Sequence, residues 1–260
     1  MRNGLLAALL TGTLVLAGCD GGTGADSQER VDRRFVSTVA EAKQTPWPGG
    51  DSVDPDLLDS RMDRDNFMVV LDMSGSMATP NCAGSYDSKA EAAEAAITKW
   101  MQSITPEANL GLIIFDTEGT SVRVPLGQDN RDAFRRHIGG SSASGGTPLQ
   151  TAVALAHEEL ARRARYQQGY GTYRLVVITD GEHSQGEDPT REVTRIAGNP
   201  ANPIEIHTIG FCIEDSALNQ PGITLYHSAQ SPEELARGLD NVLPESKDFA
   251  TIQEFTGDDL

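Results

Sequence analysis

The chain has 260 residues, a formal net charge of −17 and a hydrophobic fraction of 38%. That length admits one ordinary α/β domain with extra segments. So acidic a chain is a poor binder of nucleic acid or of an anionic bilayer by bulk electrostatics, and no nucleic-acid partner is expected.

The first 18 residues have the pattern of a secretory leader: Arg2 near the start, then an uncharged leucine-rich stretch from Leu5 to Leu16. The stretch is shorter than the roughly 20 apolar residues that span a bilayer. It ends in Leu16-Ala17-Gly18-Cys19, which resembles the lipobox of bacterial lipoproteins. The resemblance implies lipidation of Cys19, palmitate-type acyl chains and a lipid anchor on the periplasmic face of the cell envelope. Asp20 resembles the inner-membrane retention signal of enterobacterial lipoproteins. Residues 19–65 are polar, rich in Gly, Asp, Ser and Arg, and interrupted at Trp47-Pro48-Gly49-Gly50. They read as a flexible tether, with one short helix possible over Val31–Ala42.

The apolar run Phe67-Met68-Val69-Val70-Leu71 predicts a buried strand. Asp72, Ser74 and Ser76 follow at alternate positions, so an extended loop would turn all three oxygen-bearing side chains to one side. A carboxylate with two hydroxyls is a hard donor set, suited to Mg²⁺, Mn²⁺ or Ca²⁺. An insertion over 78–87 carries Pro80 and Cys82. A helix is expected from about Ser88 to Ile104, with Ala93, Ile97, Trp100 and Ile104 on one stripe.

Next come a strand over 108–115, its partner over 121–125 across a Glu118-Gly119-Thr120 turn, and a short helix over 129–138. A Gly/Ser loop, 139–146, delivers Thr147 to the start of a helix whose stripe is Leu149, Val153, Ala156, Leu160 and Ala164. The strand 173–179 ends in Asp180-Gly181. A helix near 191–197 and strands over 204–211 and 222–227 follow. Ser231-Pro232-Glu233-Glu234 is a capping box with proline at the first helical position, opening a helix to about Val242.

Strands alternating with helices predict an α/β fold with a mainly parallel central sheet covered by helices on both faces. Such sheets bind ligands beyond the carboxyl ends of their strands, where Asp72 and Asp180 fall.

Together Asp72-Met73-Ser74-Gly75-Ser76, Gly145-Gly146-Thr147-Pro148-Leu149 and Thr179-Asp180-Gly181 resemble the metal-ion-dependent adhesion site of the von Willebrand factor type A family, a Rossmann-like fold. The resemblance spans roughly residues 66–245, leaving 1–18 as a lipoprotein signal peptide, 19–65 as tether and 246–260 as an acidic tail. It implies a metal held by Ser74, Ser76 and Thr147 directly, with Asp72 and Asp180 acting through water. A water in the last position would yield to an Asp or Glu of a protein partner. The function so implied is a membrane-anchored, metal-dependent grip with no bond broken.

Two rivals stand beside it. One is a scaffold of the same fold that binds without metal. The other is a hydrolase built on Ser74, Asp180 and His183, although no G-x-S-x-G elbow, H-E-x-x-H, Walker A or C-x-x-C string is present. With Cys19 assigned to lipid, Cys82 and Cys212 remain, and export favours their pairing. If the strand order follows the family's, one strand lies between theirs, about 10 Å of sheet. The insertion must then lean across, because direct pairing needs Cα atoms within about 7 Å.

Overall fold

A computed structural model describes residues 46–213 and 217–243, all within the compact unit Ala42–Leu260. Cys19, Asp20, Val31–Ala42 and the tail 246–260 lie outside the described residues.

The predicted apolar runs become the centre of a six-stranded sheet. In chain order the elements are β1 (Asp65–Asp72), α1 (Lys89–Ser103), β2 (Asn109–Asp116), β3 (Gly119–Gly127), α2 (Arg131–Gly139), α3 (Leu149–Tyr166), β4 (Thr172–Thr179), α4 (Thr190–Ala197), β5 (Ile204–Phe211), β6 (Leu225–Ala229) and α5 (Pro232–Asp240). The strand order is β3-β2-β1-β4-β5-β6. β1 pairs in parallel with β2 and β4, and β4–β5 and β5–β6 are parallel too. Only the hairpin β2–β3 is antiparallel.

Side chains alternate across a strand, and β1 shows what that does here. Phe67, Val69 and Leu71 join a core with Ile97 and Trp100 of α1 and Leu235 of α5. Met68 and Val70 join the opposite core with Val153 and Leu160 of α3 and Val193 of α4. Burial on both faces is why the central strands read as unbroken apolar runs. β2 has glycine at 111 for a close approach: a Cβ there would lie 2.5 Å from Met68 Sδ and 3.0 Å from Leu126 Cα.

The helix starts follow the expected chemistry. The Ser88 hydroxyl accepts from Glu91 N–H at 3.1 Å, and Glu91 accepts from Asp87 N–H at 2.8 Å. At Ser231 the forward half of the expected box forms, Glu234 N–H to Ser231 at 3.3 Å, while the Glu234 carboxylate accepts one residue earlier, from Gln230 N–H at 2.7 Å.

Three boundaries moved. α2 starts after Asp129, whose φ of 54° is left-handed and cannot open a helix. β6 begins three residues later than the apolar pattern suggested. Gln220 to Thr224 is a turn in which Ile223 and Thr224 N–H both donate to the Gln220 carbonyl. Residues 46–64, part of the expected tether, lie against the domain as a strap. Trp47 packs edge-on to Tyr173 at 5.5 Å and beside His157 at 6.4 Å. Asp59 N–H donates to Tyr166 O at 3.0 Å, and the Asp59 carboxylate pairs with Arg163.

Candidate functional site

All five oxygen-bearing positions meet beyond the carboxyl ends of β1 and β4. Asp72 ends β1 and is fully buried. One of its oxygens accepts from Ser74 N–H at 2.7 Å, the other from the Thr179 hydroxyl at 2.6 Å. Burial pushes the Asp72 carboxyl up to about 6. The Ser74 and Thr179 hydrogen bonds pull it back, and the nearby Asp180 charge adds to the rise. Asp72 thus organises the turn that opens the Gly75–Ala78 3₁₀ segment.

The Ser74 and Ser76 hydroxyls lie 3.0 Å apart, and Ser76 donates to Asp180 Oδ1 at 2.7 Å. The Gly/Ser loop is laced to this turn: Ser144 N–H donates to Met73 O at 2.8 Å and Gly75 N–H to Gly145 O at 3.1 Å. Thr147 is clamped by its N–H to Ser184 Oγ at 2.8 Å and by its carbonyl from Ser184 N–H at 3.0 Å. A Cβ built on Gly181 would lie 3.7 Å from Ser76 Oγ and 3.8 Å from Thr147 Oγ1, so both hydroxyls close on the same spot.

The residue that sequence reading missed is Lys89. Its ammonium pairs with Asp180 Oδ2, and their side chains are 7% and 0% exposed. Lys89 is the first residue of α1, positioned by its N–H to Thr79 O at 2.9 Å. A cation at a helix N-terminus opposes the helix dipole. That local anomaly was the one signal in the sequence that pointed to it.

The structure corrects the expectation of a metal centre. The donor set is already spent internally: both Asp72 oxygens accept hydrogen bonds, Ser76 donates to Asp180, and Lys89 supplies the positive charge. A divalent ion beside Asp180 would face that ammonium at short range and low dielectric. Among the described residues, no group of three or more His, Cys, Asp or Glu is placed to hold a metal ion. The Mg²⁺, Mn²⁺ or Ca²⁺ cofactor expected from Asp72, Ser74, Ser76, Thr147 and Asp180 therefore does not fit. The requirement for an Asp or Glu on the partner, which depended on that ion, falls with it.

The described residues carry no support for the expected lipid-anchored envelope location, and Cys19, on which it rested, lies outside them. Among the described residues no helix is long and apolar enough to cross a membrane. The two described cysteines, Cys82 and Cys212, are joined in a disulfide with Cα atoms 5.8 Å apart, so neither is free for acylation. The insertion does lean across. Gly84, at φ 63°, lies so close to Pro232 of α5 that a Cβ there would meet that ring at 3.2 Å.

The hydrolase constellation does not assemble. The Ser74 hydroxyl faces Ser76, and His183 Nδ1 faces the Ser184 carbonyl at 3.1 Å.

A family model, the von Willebrand factor type A domain, matches residues 67–183. Over these residues the chain is similar to the von Willebrand factor type A domain. The human inter-alpha-trypsin inhibitor heavy chain H4 is 28% identical over 134 residues, 49% of this chain. The match spans only 13% of that relative's length.

Solved structures share the fold. A von Willebrand factor type A protein from Catenulispora acidiphila aligns with a TM-score of 0.51 and 20% identity over 69% of this chain and 42% of its own. The pilus adhesin SpaC from Lactobacillus rhamnosus GG aligns at 0.51 and 15% identity, covering 71% and 30%. Proximal thread matrix protein 1 of the mussel byssus, in a form with a zinc-occupied MIDAS motif, aligns at 0.53 and 16% identity, covering 69% and 47%. At these identities the likeness is one of fold.

Proposed function

We propose that this chain is a von Willebrand factor type A scaffold that binds a protein partner without metal, through the rim at the carboxyl ends of its strands. One observation carries the reading: the buried Lys89–Asp180 pair completes the charge balance that an ion would otherwise supply. The rim is rigid enough to present a fixed surface. The disulfide ties the insertion to the end of β5, and hydrogen bonds from Gly75 and Ser144 tie the Gly/Ser loop to the first turn. Ser76 and Ser142 are exposed there. Beside them lies a polar cleft of about 240 Å³ lined by Asp116, Glu118, Arg123, Arg136, His137 and Ser141. Arg123 is held in it by Asp116 and Glu118.

The binding domain of this reading is 66–245, preceded by a leader-like segment 1–18 and a linking segment 19–65, and followed by the tail 246–260. The zinc of the mussel protein belongs to that protein.

The test is capture of a partner by the full chain, once in EDTA and once in Mg²⁺, followed by binding measurements on the purified pair. Equal affinity in both buffers, with loss on Ser142→Trp at the rim, is the expected result. Loss of binding in EDTA would overturn the reading.

A further inference from the structure

Lys89 holds more than a charge balance. It connects three segments: the start of α1, which it opens; the end of β4, through Asp180; and the 3₁₀ turn, because the other oxygen of Asp180 takes the Ser76 hydroxyl. Beyond Asp180, Lys89 makes no ion pair with any described residue. A buried ammonium is costly unless paired and hydrogen-bonded. A helix N-terminus is also the wrong end for a cation. A lysine kept against both penalties, with its head group on Asp180, whose other oxygen takes the Ser76 hydroxyl, does the electrostatic work of a bound ion.

We propose that the Lys89 ammonium is the permanent cation of this site, and that removing it would open the same cluster to a divalent metal. The proposal deepens the metal-free reading and rests on it. Without Lys89, Asp180 loses its counter-charge. The Asp180 carboxylate and the Ser74, Ser76 and Thr147 hydroxyls then converge without a cation, a hard donor set of the kind Mg²⁺ or Mn²⁺ takes, while Asp72 keeps its own hydrogen bonds.

The experiment is thermal unfolding of the full chain as wild type, Lys89→Met and Lys89→Arg, in EDTA and in millimolar MgCl₂ or MnCl₂. Methionine keeps the length of the side chain and removes its charge; arginine keeps the charge. The wild type and Lys89→Arg should melt at the same temperature with and without metal. Lys89→Met should melt lower in EDTA. It should recover by roughly 5 °C or more once metal exceeds its dissociation constant about a hundredfold.

A folded Lys89→Met that ignores metal, or a Lys89→Arg that responds to it, overturns the resident-cation proposal and leaves the scaffold reading standing. A wild-type melting temperature that rises with metal overturns both. If Lys89→Met does not fold in EDTA, refolding in MnCl₂ decides: recovery supports the proposal and continued failure refutes it.

Discussion

Cys82 and Cys212 are 130 residues apart in sequence, yet their Cα atoms lie 5.8 Å apart. The bond reaches from the insertion after β1, past the end of β4, to the residue that follows β5. Cys212 is fixed from the other side by its N–H to Ala229 O at 2.7 Å, at the end of β6. One covalent link therefore sets the shape of the rim over three neighbouring strands.

Removing that link should destabilise the domain mainly by freeing the unfolded chain. For a closed loop of this length the cost of Cys82→Ala with Cys212→Ala is about 3–5 kcal/mol. Denaturant unfolding under oxidising conditions measures it. Hydrogen exchange should rise first in the insertion, 79–87. Free thiols at both positions in the oxidised wild type would contradict the bond.

Breaking one half of the Lys89–Asp180 pair should cost about 3–5 kcal/mol, since the partner is left as an uncompensated buried charge. Replacing both, as Lys89→Met with Asp180→Leu, should cost clearly less than the sum of the single changes. A double-mutant cycle on denaturant midpoints reads the coupling. Additive losses would mean that the two groups do not interact.

Asp72 predicts a pH dependence. Its folded carboxyl titrates near 6, above the ordinary 3.8, because burial disfavours the charge. Between those values the native state holds more protons than the unfolded one. Its contribution to stability is therefore complete at low pH and is lost as pH rises through 6. Relative to Asp72→Asn, wild-type unfolding free energy should fall by up to about 1.4 kcal/mol per pH unit across that window and then level off. His207 runs the other way. Burial lowers its pKa from 6.5, so its contribution is lost as pH falls. The comparison with Asp72→Asn cancels that effect. A flat difference from pH 4 to 7 would refute the assignment.

Trp47 anchors the strap. It is half-buried, so Trp47→Ala should cost about 2–3 kcal/mol, somewhat less than a fully buried tryptophan. Limited proteolysis should then cut within 46–58 while the rest of the domain stays protected. Unchanged cleavage and stability would show that the strap contributes nothing.

Much of this protein was legible in its sequence. The apolar runs 67–71 and 173–179, each ending in an acidic residue, declared the two central strands and the end of the sheet at which a site would form. Capping chemistry at Ser231 and the meeting of Asp72, Ser74, Ser76, Thr147 and Asp180 were also readable. These signals are local: burial imprints a period on neighbouring residues, and a motif lists groups that one turn can gather. What the cluster is for was not local. Lys89 reaches Asp180 only because β1 pairs with β4 and the insertion carries the start of α1 back over the turn. Trp47 meets His157 and Tyr173 only because the chain folds back along α3. No periodicity records which distant side chain will fill a charged gap. The sequence determined the fold and the donor set. Tertiary packing decided that a lysine, and not an ion, neutralises Asp180, because that choice depends on which cation the folded backbone brings within reach.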